Sequence, residues 1–235
     1  MSLGLFGGGG GILAIPLLVT AGIPADEAGT TSLVVVGLGA IGGLINHARA
    51  GRVAWREGVL FSALGAAGAV SGSRLALFTD DRVQLWGFAL VLILAGTLMM
   101  RKSLRQTAAA TQHRRQPWWL LVPTALVVGL FTGFFGVGGG FLVVPALTLV
   151  MGMGMYAATA TALLVITLNS AVALIPRAGE ALDVPATIIV AGFVLLSSAL
   201  AARWSNKWSE RNLGIGFAGL VLAMSVLTVA QASGA

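Results

Sequence analysis

Charged residues are scarce in this sequence, and their scarcity excludes a soluble globular domain. Of its 235 residues, 9% are Asp, Glu, Lys or Arg and 57% are hydrophobic, whereas soluble domains carry about 25% charged residues. Several runs without a formal charge approach the ~20 residues that a helix needs to cross a bilayer: 28–48, 83–100, 184–202 and 212–235. We therefore expect an integral membrane protein, with the lipid bilayer as a partner that surrounds its helices.

Cysteine is absent, and histidine occurs only at His47 and His113. Disulfides, thiolate metal sites and iron–sulfur clusters are thereby excluded, and two histidines are too few for a dedicated metal cage. No nucleophile–base pair supports a membrane enzyme, so we expect no enzymatic activity, no cofactor and no bound metal. The formal charge of +6 does not indicate nucleic acid, because the arginines lie in short loops, where membrane topology accounts for them.

Eight apolar segments are present, and all are predicted to be helical because helices satisfy their own backbone hydrogen bonds in lipid. They lie near 3–23, 28–47, 55–77, 83–100, 118–152, 156–175, 184–203 and 212–231. The segment 118–152 would be about 52 Å long as one straight helix. We therefore predict a membrane helix over 118–136, a glycine turn and a short half-helix over 141–152. The predicted fold class is an all-α polytopic bundle of roughly 7–8 transmembrane helices.

An internal duplication relates the two halves of the chain at an offset of 129 residues. Thr30 matches Thr159, and the segment RVQLWGFAL (Arg82–Leu90) resembles RNLGIGFAG (Arg211–Gly219). The second repeat has an apolar stretch before its glycines for which the first repeat has almost no counterpart, so the N-terminus looks short of one span. Repeated halves are usual in secondary transporters. The predicted domains are a first transmembrane repeat over 1–100, a basic linker over 101–116 and a second transmembrane repeat over 117–235.

Basic residues indicate the orientation. The linker Arg101–Gln116 holds five Lys or Arg and no acid, so the positive-inside rule places it in the cytoplasm. The loop His47–Glu57 would share that side if the spans 55–77 and 83–100 each cross once. The sequence leaves open whether the repeats are parallel or inverted, and a homodimer is one of the open oligomeric arrangements.

Two glycine clusters occupy corresponding positions: GLFGGGGGILAIPLL at Gly4–Leu18 and GFFGVGGGFLVVPAL at Gly133–Leu147. Glycine costs about 1 kcal/mol relative to alanine within a helix, so each cluster is predicted to be a non-helical turn near the membrane midplane. Half-helices should follow over roughly 12–21 and 141–152. Their first N–H groups lie at the positive end of the helix dipole and would bind an anion. The predicted substrate-binding glycines are Gly9, Gly10, Gly11, Gly138, Gly139 and Gly140.

Glycines elsewhere in the helices are predicted to have a packing role. Small residues allow the backbones of membrane helices to approach closely, and one such interface needs a small residue only about every fourth position. This interpretation applies to Gly37, Gly65, Gly68 and Gly72.

Hydroxyl side chains follow each predicted half-helix, in AGTTS (Ala28–Ser32) and ATATA (Ala158–Ala162). They can donate hydrogen bonds to an anion; the alternative is that each bonds its own i−4 carbonyl. Asn169 is interpreted as a site residue or a packing contact, and His47 as an interfacial histidine beside the basic loop. The predicted polar residues of the substrate site, placed around one anion between the halves, are Thr30, Thr31, Ser32, Thr159, Thr161 and Asn169.

The doubled pattern G-x-x-G-x-G-G-G-x-x-x-x-P, followed by a helix start rich in Ala, Thr and Ser, resembles the sulfite exporter TauE/SafE family. The copy at Gly133–Pro145 fits closely, whereas in the first copy Gly8 occupies the variable position. HARAGRVAW (His47–Trp55) is similar to the family's stretch before its third helix. The resemblance covers the whole chain apart from the first span.

This resemblance implies a multi-pass protein of the bacterial inner membrane that exports a small sulfur-containing oxyanion such as sulfite, a sulfonate or sulfoacetate. The helix-dipole argument alone indicates only a small anion. The alternative is a permease for another substrate class, such as a metal cation. A cation permease would need acidic or histidine side chains within the membrane, and no acid is placed within a span.

Overall fold

The computed structural model describes residues 25–105, 118–135, 140–175, 187, 191–192, 194–195 and 209–234. Seven α-helices occur in these ranges: α1 (Ala25–Arg49), α2 (Trp55–Ala76), α3 (Asp81–Arg105), α4 (Trp118–Phe135), α5 (Gly140–Pro145), α6 (Met155–Leu174) and α7 (Glu210–Gly234). α5 continues directly into a π-helical turn over Ala146–Val150. No strand occurs within the described ranges, and the predicted all-α fold is confirmed.

Four of the helices are long and apolar enough to cross a membrane: Trp55–Ala76, Arg82–Arg105, Met155–Leu174 and Glu210–Ala230. Shorter apolar helices cover Leu33–Arg49, Trp119–Phe135 and Gly140–Val150. Large apolar side chains such as Val59, Leu90 and Val226 are exposed on the outside of the bundle, as expected for surfaces that face lipid. The predicted segments 3–23 and most of 184–203 lie outside the described residues.

α2 and α4 pack in parallel along a seam that has no room for side chains. A Cβ built on Gly129 would overlap the carbonyl oxygen of Gly65, and one on Gly133 would overlap the carbonyl oxygen of Ala69. Backbone therefore meets backbone, as small residues permit in membranes. The packing role predicted for Gly65, Gly68 and Gly72 is confirmed, because all three lie in this contact. We call this contact the glycine seam, formed by Gly65, Gly68, Gly72, Gly129 and Gly133.

α3 and α7 occupy equivalent positions in the two repeats and pack against each other. They begin and end 129 residues apart. Gly96 of α3 approaches the side chain of Leu222, whereas Ser103, two turns later in α3, approaches Gly214. Because the partner residue moves back along α7 as the chain advances along α3, the two helices are antiparallel.

α1 and α6 are the second equivalent pair, and they are antiparallel as well. A Cβ built on Gly37, in the middle of α1, would lie 3.1 Å from the Cβ of Ser170, near the end of α6. Beyond the other end of α1, Arg52 stacks on Tyr156 at the start of α6. Helices that correspond in sequence thus point in opposite directions, so the repeats are inverted. The sequence had left this question open.

α5 runs back towards the end of the bundle from which α4 and α6 start. Its Phe141 ring packs edge-on against Phe88 of α3, with ring centroids 5.3 Å apart. The carbonyl of Thr148 accepts a hydrogen bond from Lys102 near the other end of α3. Residues 140–150 extend about 16 Å, half of the ~30 Å hydrocarbon thickness, and the chain then reverses at Gly152, which has a φ of 64°. The predicted second half-helix is confirmed, whereas the turn at Gly138 and Gly139 lies outside the described residues.

One end of the bundle carries most of the positive charge. α1 and α3 end there and α2, α6 and α7 begin there, so the loop 47–57 and the start of the basic linker lie on the same side, as predicted. The positive-inside rule predicts that this side faces the cytoplasm. We call it the basic end, and its described cations are Arg49, Arg52, Arg56, Arg101, Lys102, Arg105 and Arg211.

Candidate functional site

The interface between α1 and α6 holds the predicted hydroxyl residues of the second repeat. Leu163 and Ile166 of α6 pack with Val36 and Ala40 of α1 in a small apolar cluster. Thr159 precedes Leu163 by four residues and Ile166 by seven, so it lies on the same face of α6. The side chain of Thr159 therefore belongs to the surface that faces α1.

The hydroxyl of Thr159 is buried and makes no hydrogen bond within the described part of the chain. The residue is 2% exposed, and no described group lies within hydrogen-bond distance and geometry of its Oγ1. Thr31, which is 0% exposed, is in the same condition, as is Thr187. A buried hydroxyl without a partner costs about 1–3 kcal/mol, so such groups are uncommon and each is a donor available to a ligand.

Other threonines of the bundle show the ordinary alternative. Their hydroxyls donate to the carbonyl four residues earlier in the chain, which satisfies them locally. This group comprises Thr79, Thr97, Thr124, Thr132, Thr148, Thr167 and Thr228. Thr31 and Thr159, both predicted as site residues, differ from this group, whereas the sequence offered no signal that would separate Thr187 from it.

Two further predicted site residues, Thr161 and Asn169, have protein partners on the side of α6 that faces α2. The N–H of Ala54 donates to Thr161 Oγ1 over 3.2 Å. The hydroxyl of Ser62 donates to Asn169 Oδ1 over 2.5 Å. Both bonds join α6 to α2 or to the residue preceding it. Of the two interpretations of Asn169, the packing contact is the one that this bond matches.

The structure does not bring the two groups of hydroxyls together. Thr31 lies six residues from Gly37 towards the start of α1, and Thr159 lies eleven residues from Ser170 towards the start of α6. Since Gly37 and Ser170 are in contact and the helices are antiparallel, these two threonines are separated by about 25 Å along the helix axes. One small anion therefore does not contact Thr31 and Thr159 at once, and for this pair the expectation of a single shared site is wrong. Inversion of the repeats is the reason, because it sends equivalent helix starts to opposite ends of the bundle.

Several predicted site residues lie outside what the structure describes. These are Gly9, Gly10, Gly11, Gly138 and Gly139, together with the side chains of Thr30 and Ser32. Gly140 is described: it is buried and is the first residue of α5. Its position about 16 Å from the basic end agrees with a half-helix that starts near the membrane midplane.

His47 is more deeply placed than its sequence position suggests. The interpretation as an interfacial histidine beside the basic loop is corrected, because the residue is 2% exposed and its side chain is fully buried. It lies eleven residues after Val36 on the same face of α1, the face that meets α6. The antiparallel register places it at the level of Thr159.

A group of polar side chains at the basic end was missed by the sequence analysis. The Arg52 guanidinium lies over the ring of Tyr156, 4.3 Å from its centroid. Glu210 interacts electrostatically with both Tyr156 and Lys102. In the sequence these residues are far apart and resemble ordinary anchors at the ends of spans. We call Arg52, Lys102, Tyr156 and Glu210 the basic-end cluster.

Within the described part of the chain, no group of three or more His, Asp or Glu side chains is arranged to hold a metal ion. The polar groups that the bundle does bring together are hydroxyls, amides and cations. Hydroxyl and cationic donors interact with anions, because they direct hydrogen atoms at the ligand.

Comparison with known proteins identifies relatives along the whole chain. The sequence model of the family described as sulfite exporter TauE/SafE matches residues 1–228. The chain is 41% identical over 151 residues to a probable membrane transporter protein of Xylella fastidiosa strain Temecula1, covering 62% of this chain and 57% of that protein. It is 25% identical over 242 residues to the probable membrane transporter protein MJ0441 of Methanocaldococcus jannaschii, covering 94% and 88%.

A third relative carries a different name. The chain is 31% identical over 109 residues to the putative manganese efflux pump MntP of Yersinia pestis strain Pestoides F, covering 44% of this chain and 57% of that protein. No solved structure matches the chain. The matches to the Xylella and Yersinia proteins thus span little more than half of those proteins' lengths.

The names of the family and of these relatives indicate a membrane transporter rather than an enzyme. The all-α bundle, with four helices of membrane-spanning length, agrees with them. The family match extends over nearly the entire chain and includes both glycine clusters. This multi-pass membrane protein therefore belongs to the sulfite exporter TauE/SafE family.

Proposed function

We propose that the protein transports a small sulfur-containing oxyanion, such as sulfite, a sulfonate or sulfoacetate, out of the bacterial cell across the inner membrane. The observation that carries the proposal is the buried hydroxyl of Thr159, which has no hydrogen-bond partner among the residues that the structure describes. It lies in the second turn of α6, near the positive end of that helix. A donor held in this way is satisfied when an anion binds.

Neutral donors suit a transporter, because the substrate must bind and then leave. A hydrogen bond to a charged group contributes about 1.5–3 kcal/mol, so a few of them hold an anion with micromolar to millimolar affinity. An arginine in direct contact with the anion, deep in a low-dielectric interior, would interact far more strongly and slow its release.

Inversion of the repeats supports several anion-binding positions along the bundle axis rather than one shared binding site. Thr159 and its repeat equivalent Thr30 lie on helices that start at opposite ends of the bundle. The half-helix that begins at Gly140 starts between these two levels. In the proposal the anion is handed from the hydroxyls of one repeat, past the N–H groups of Gly9–Gly11 and Gly138–Gly140, to the hydroxyls of the other.

Transport by the purified protein in proteoliposomes tests the proposal. We expect uptake of radiolabelled sulfite above that of empty vesicles, with competition by sulfoacetate and little competition by chloride at equal concentration. Vesicles that show no uptake of sulfite, sulfoacetate or sulfate would contradict an oxyanion transporter.

Efflux of a divalent metal cation is the second candidate, and the name of the Yersinia relative is the observation that favours it. The same proteoliposomes separate the two functions. Accumulation of Mn²⁺ without accumulation of sulfite would favour the cation, whereas sulfite uptake that is unaffected by Mn²⁺ would favour the oxyanion.

A further inference from the structure

The Glu210 carboxylate occupies a position suited to an external anion. Gly154 is the N-cap residue of α6, and a Cβ built on it would lie 2.8 Å from Glu210 Oε1 and 3.1 Å from Oε2. Gly154 contributes no side-chain capping hydrogen bond, so the positive end of the α6 dipole is directed at this carboxylate. Negative charge is stabilised at such a point whether it belongs to the protein or to a ligand.

Two cations lie at the basic end, each linked to Glu210 directly or through Tyr156. The Arg52 guanidinium is held over the Tyr156 ring, and Lys102 interacts electrostatically with Glu210 while it donates to the carbonyl of Thr148. The basic-end cluster thus combines two positive charges with one carboxylate, which leaves a net attraction for a further anion. Charges near the mouth of a path raise the local concentration of an oppositely charged substrate.

The next turn of α6 after the cluster carries the hydroxyl of Thr159. Tyr156 and Thr159 are three residues apart and lie on the same side of α6. The Arg52 guanidinium lies over the Tyr156 ring, and Thr159 is buried with no hydrogen-bond partner among the described residues. An anion that leaves the cluster towards the interior therefore meets Thr159 as the next donor.

We infer that the basic-end cluster is a docking site for the oxyanion substrate and that the Glu210 carboxylate is its internal competitor, displaced when the anion binds. The inference rests on the proposed function. The Glu210 carboxylate and the substrate both carry negatively charged oxygen atoms. They therefore compete for Arg52, Lys102 and the N-terminus of α6. Binding and displacement change no covalent bond.

Two variants test the competition in different ways. Glu210→Gln removes the negative charge, and Gly154→Ala keeps the charge but moves it, because the new Cβ would lie within 3.1 Å of both carboxylate oxygens. Gly154 has φ −62° and ψ 154°, a conformation that alanine adopts without strain. Arg52→Gln removes one of the attracting cations, and Arg56→Gln is the control, because Arg56 is an exposed arginine in the first turn of α2.

Initial uptake of radiolabelled sulfite is measured in vesicles of both orientations, which gives a KM at each end of the bundle. At the basic end we expect Glu210→Gln to lower KM roughly fivefold and Gly154→Ala to lower it less, since exposed charge pairs contribute up to about 1 kcal/mol. Arg52→Gln should raise KM there by a similar factor, and Arg56→Gln should leave it unchanged. KM at the opposite end should stay the same in every variant.

The outcomes separate this inference from the proposed function. Sulfite uptake by the wild-type protein with an unchanged or higher KM in folded Glu210→Gln and Gly154→Ala proteins contradicts the docking site alone. Equal shifts of KM at both ends also contradict it, because they indicate a general effect on the bundle. No sulfite uptake by the wild-type protein contradicts both.

Discussion

The glycine seam between α2 and α4 and the interface between α1 and α6 are built on opposite principles. At the seam, side chains are absent and the backbones touch, so nothing is left for a ligand to bind or a water molecule to enter. At the α1–α6 interface, Thr159 retains a hydroxyl to which no described residue forms a hydrogen bond. The glycine seam therefore needs no ligand. The α1–α6 interface includes the free-energy cost of an unpaired hydroxyl, which a bound anion would remove.

This difference teaches which contacts hold the bundle and which serve the substrate. Glycine at the seam contributes through the close approach it permits, and any side chain there acts on folding. The buried hydroxyl of Thr159 has the opposite effect on folding, because removing this unpaired polar group lowers the free energy of the folded state. Stability and substrate affinity should therefore respond independently at the two interfaces.

The largest effect is expected at the seam. Gly133→Ala places a Cβ onto the Ala69 carbonyl oxygen, and since backbone cannot rotate away as a side chain can, we expect a loss of about 3 kcal/mol in the free energy of unfolding, the upper end for overpacking. Denaturation of the purified protein in detergent measures it. The control is Gly219→Ala in α7, where nothing lies within 4 Å of the new Cβ, and stability should rise by up to about 1 kcal/mol. Equal midpoints for Gly133→Ala and the wild type would contradict the seam.

A smaller and opposite effect is expected at Thr159. Thr159→Val keeps the shape of the side chain but removes the unsatisfied hydroxyl, so the thermal midpoint should stay the same or rise, while KM for sulfite rises roughly tenfold, or about 1.4 kcal/mol. Thr167→Val, on the same helix, removes a hydroxyl already bonded to the Leu163 carbonyl and should leave KM unchanged. Lower stability with an unchanged KM in Thr159→Val would show that this hydroxyl is structural.

The smallest effect is expected where α2 meets α6. Ser62→Ala removes the donor to Asn169 Oδ1, and side-chain hydrogen bonds between membrane helices contribute about 0.6 kcal/mol on average. We expect a loss of that order in a denaturation experiment and no change in KM. Ser71→Ala is the matched control, since its hydroxyl donates to the Ala67 carbonyl within α2. A changed KM in Ser62→Ala alone would return Asn169 to the substrate site.

Features set by local sequence could be predicted well. The charge-free runs located the spans, and the glycines with Pro145 located the half-helix that the structure places at 140–150. The need of glycine for close packing located Gly65 and Gly72 in a helix interface. Each of these depends on propensity, length or side-chain size, which are properties of a short stretch of chain.

Features set by register between distant helices could not be predicted. Thr159 and Thr167 have similar local sequence. Only the packing of α6 decides that the Thr167 hydroxyl bonds a carbonyl of its own helix and that, among the described residues, the Thr159 hydroxyl has no partner. The direction of the second repeat depended on how often the glycine-broken segment crosses the membrane. Glu210 and Gly154 are in contact at the basic end although more than fifty residues separate them in the chain. The sequence around either residue contains no pattern that predicts this contact.

The antiparallel orientation of the equivalent helices has a geometric consequence for the working cycle. If the two inverted repeats exchange conformations, the new state is the old one rotated by half a turn about an axis in the membrane plane. An opening at one membrane face is thereby replaced by an opening at the other. The two shapes would be equal in energy in a perfectly symmetric chain. Here Lys102 and Tyr156 correspond to Gln231 and Glu27 in the other repeat, so their chemistry is not reproduced at the far face. Unmatched side chains of this kind make the two shapes unequal in energy, so we expect the chain to prefer one of them.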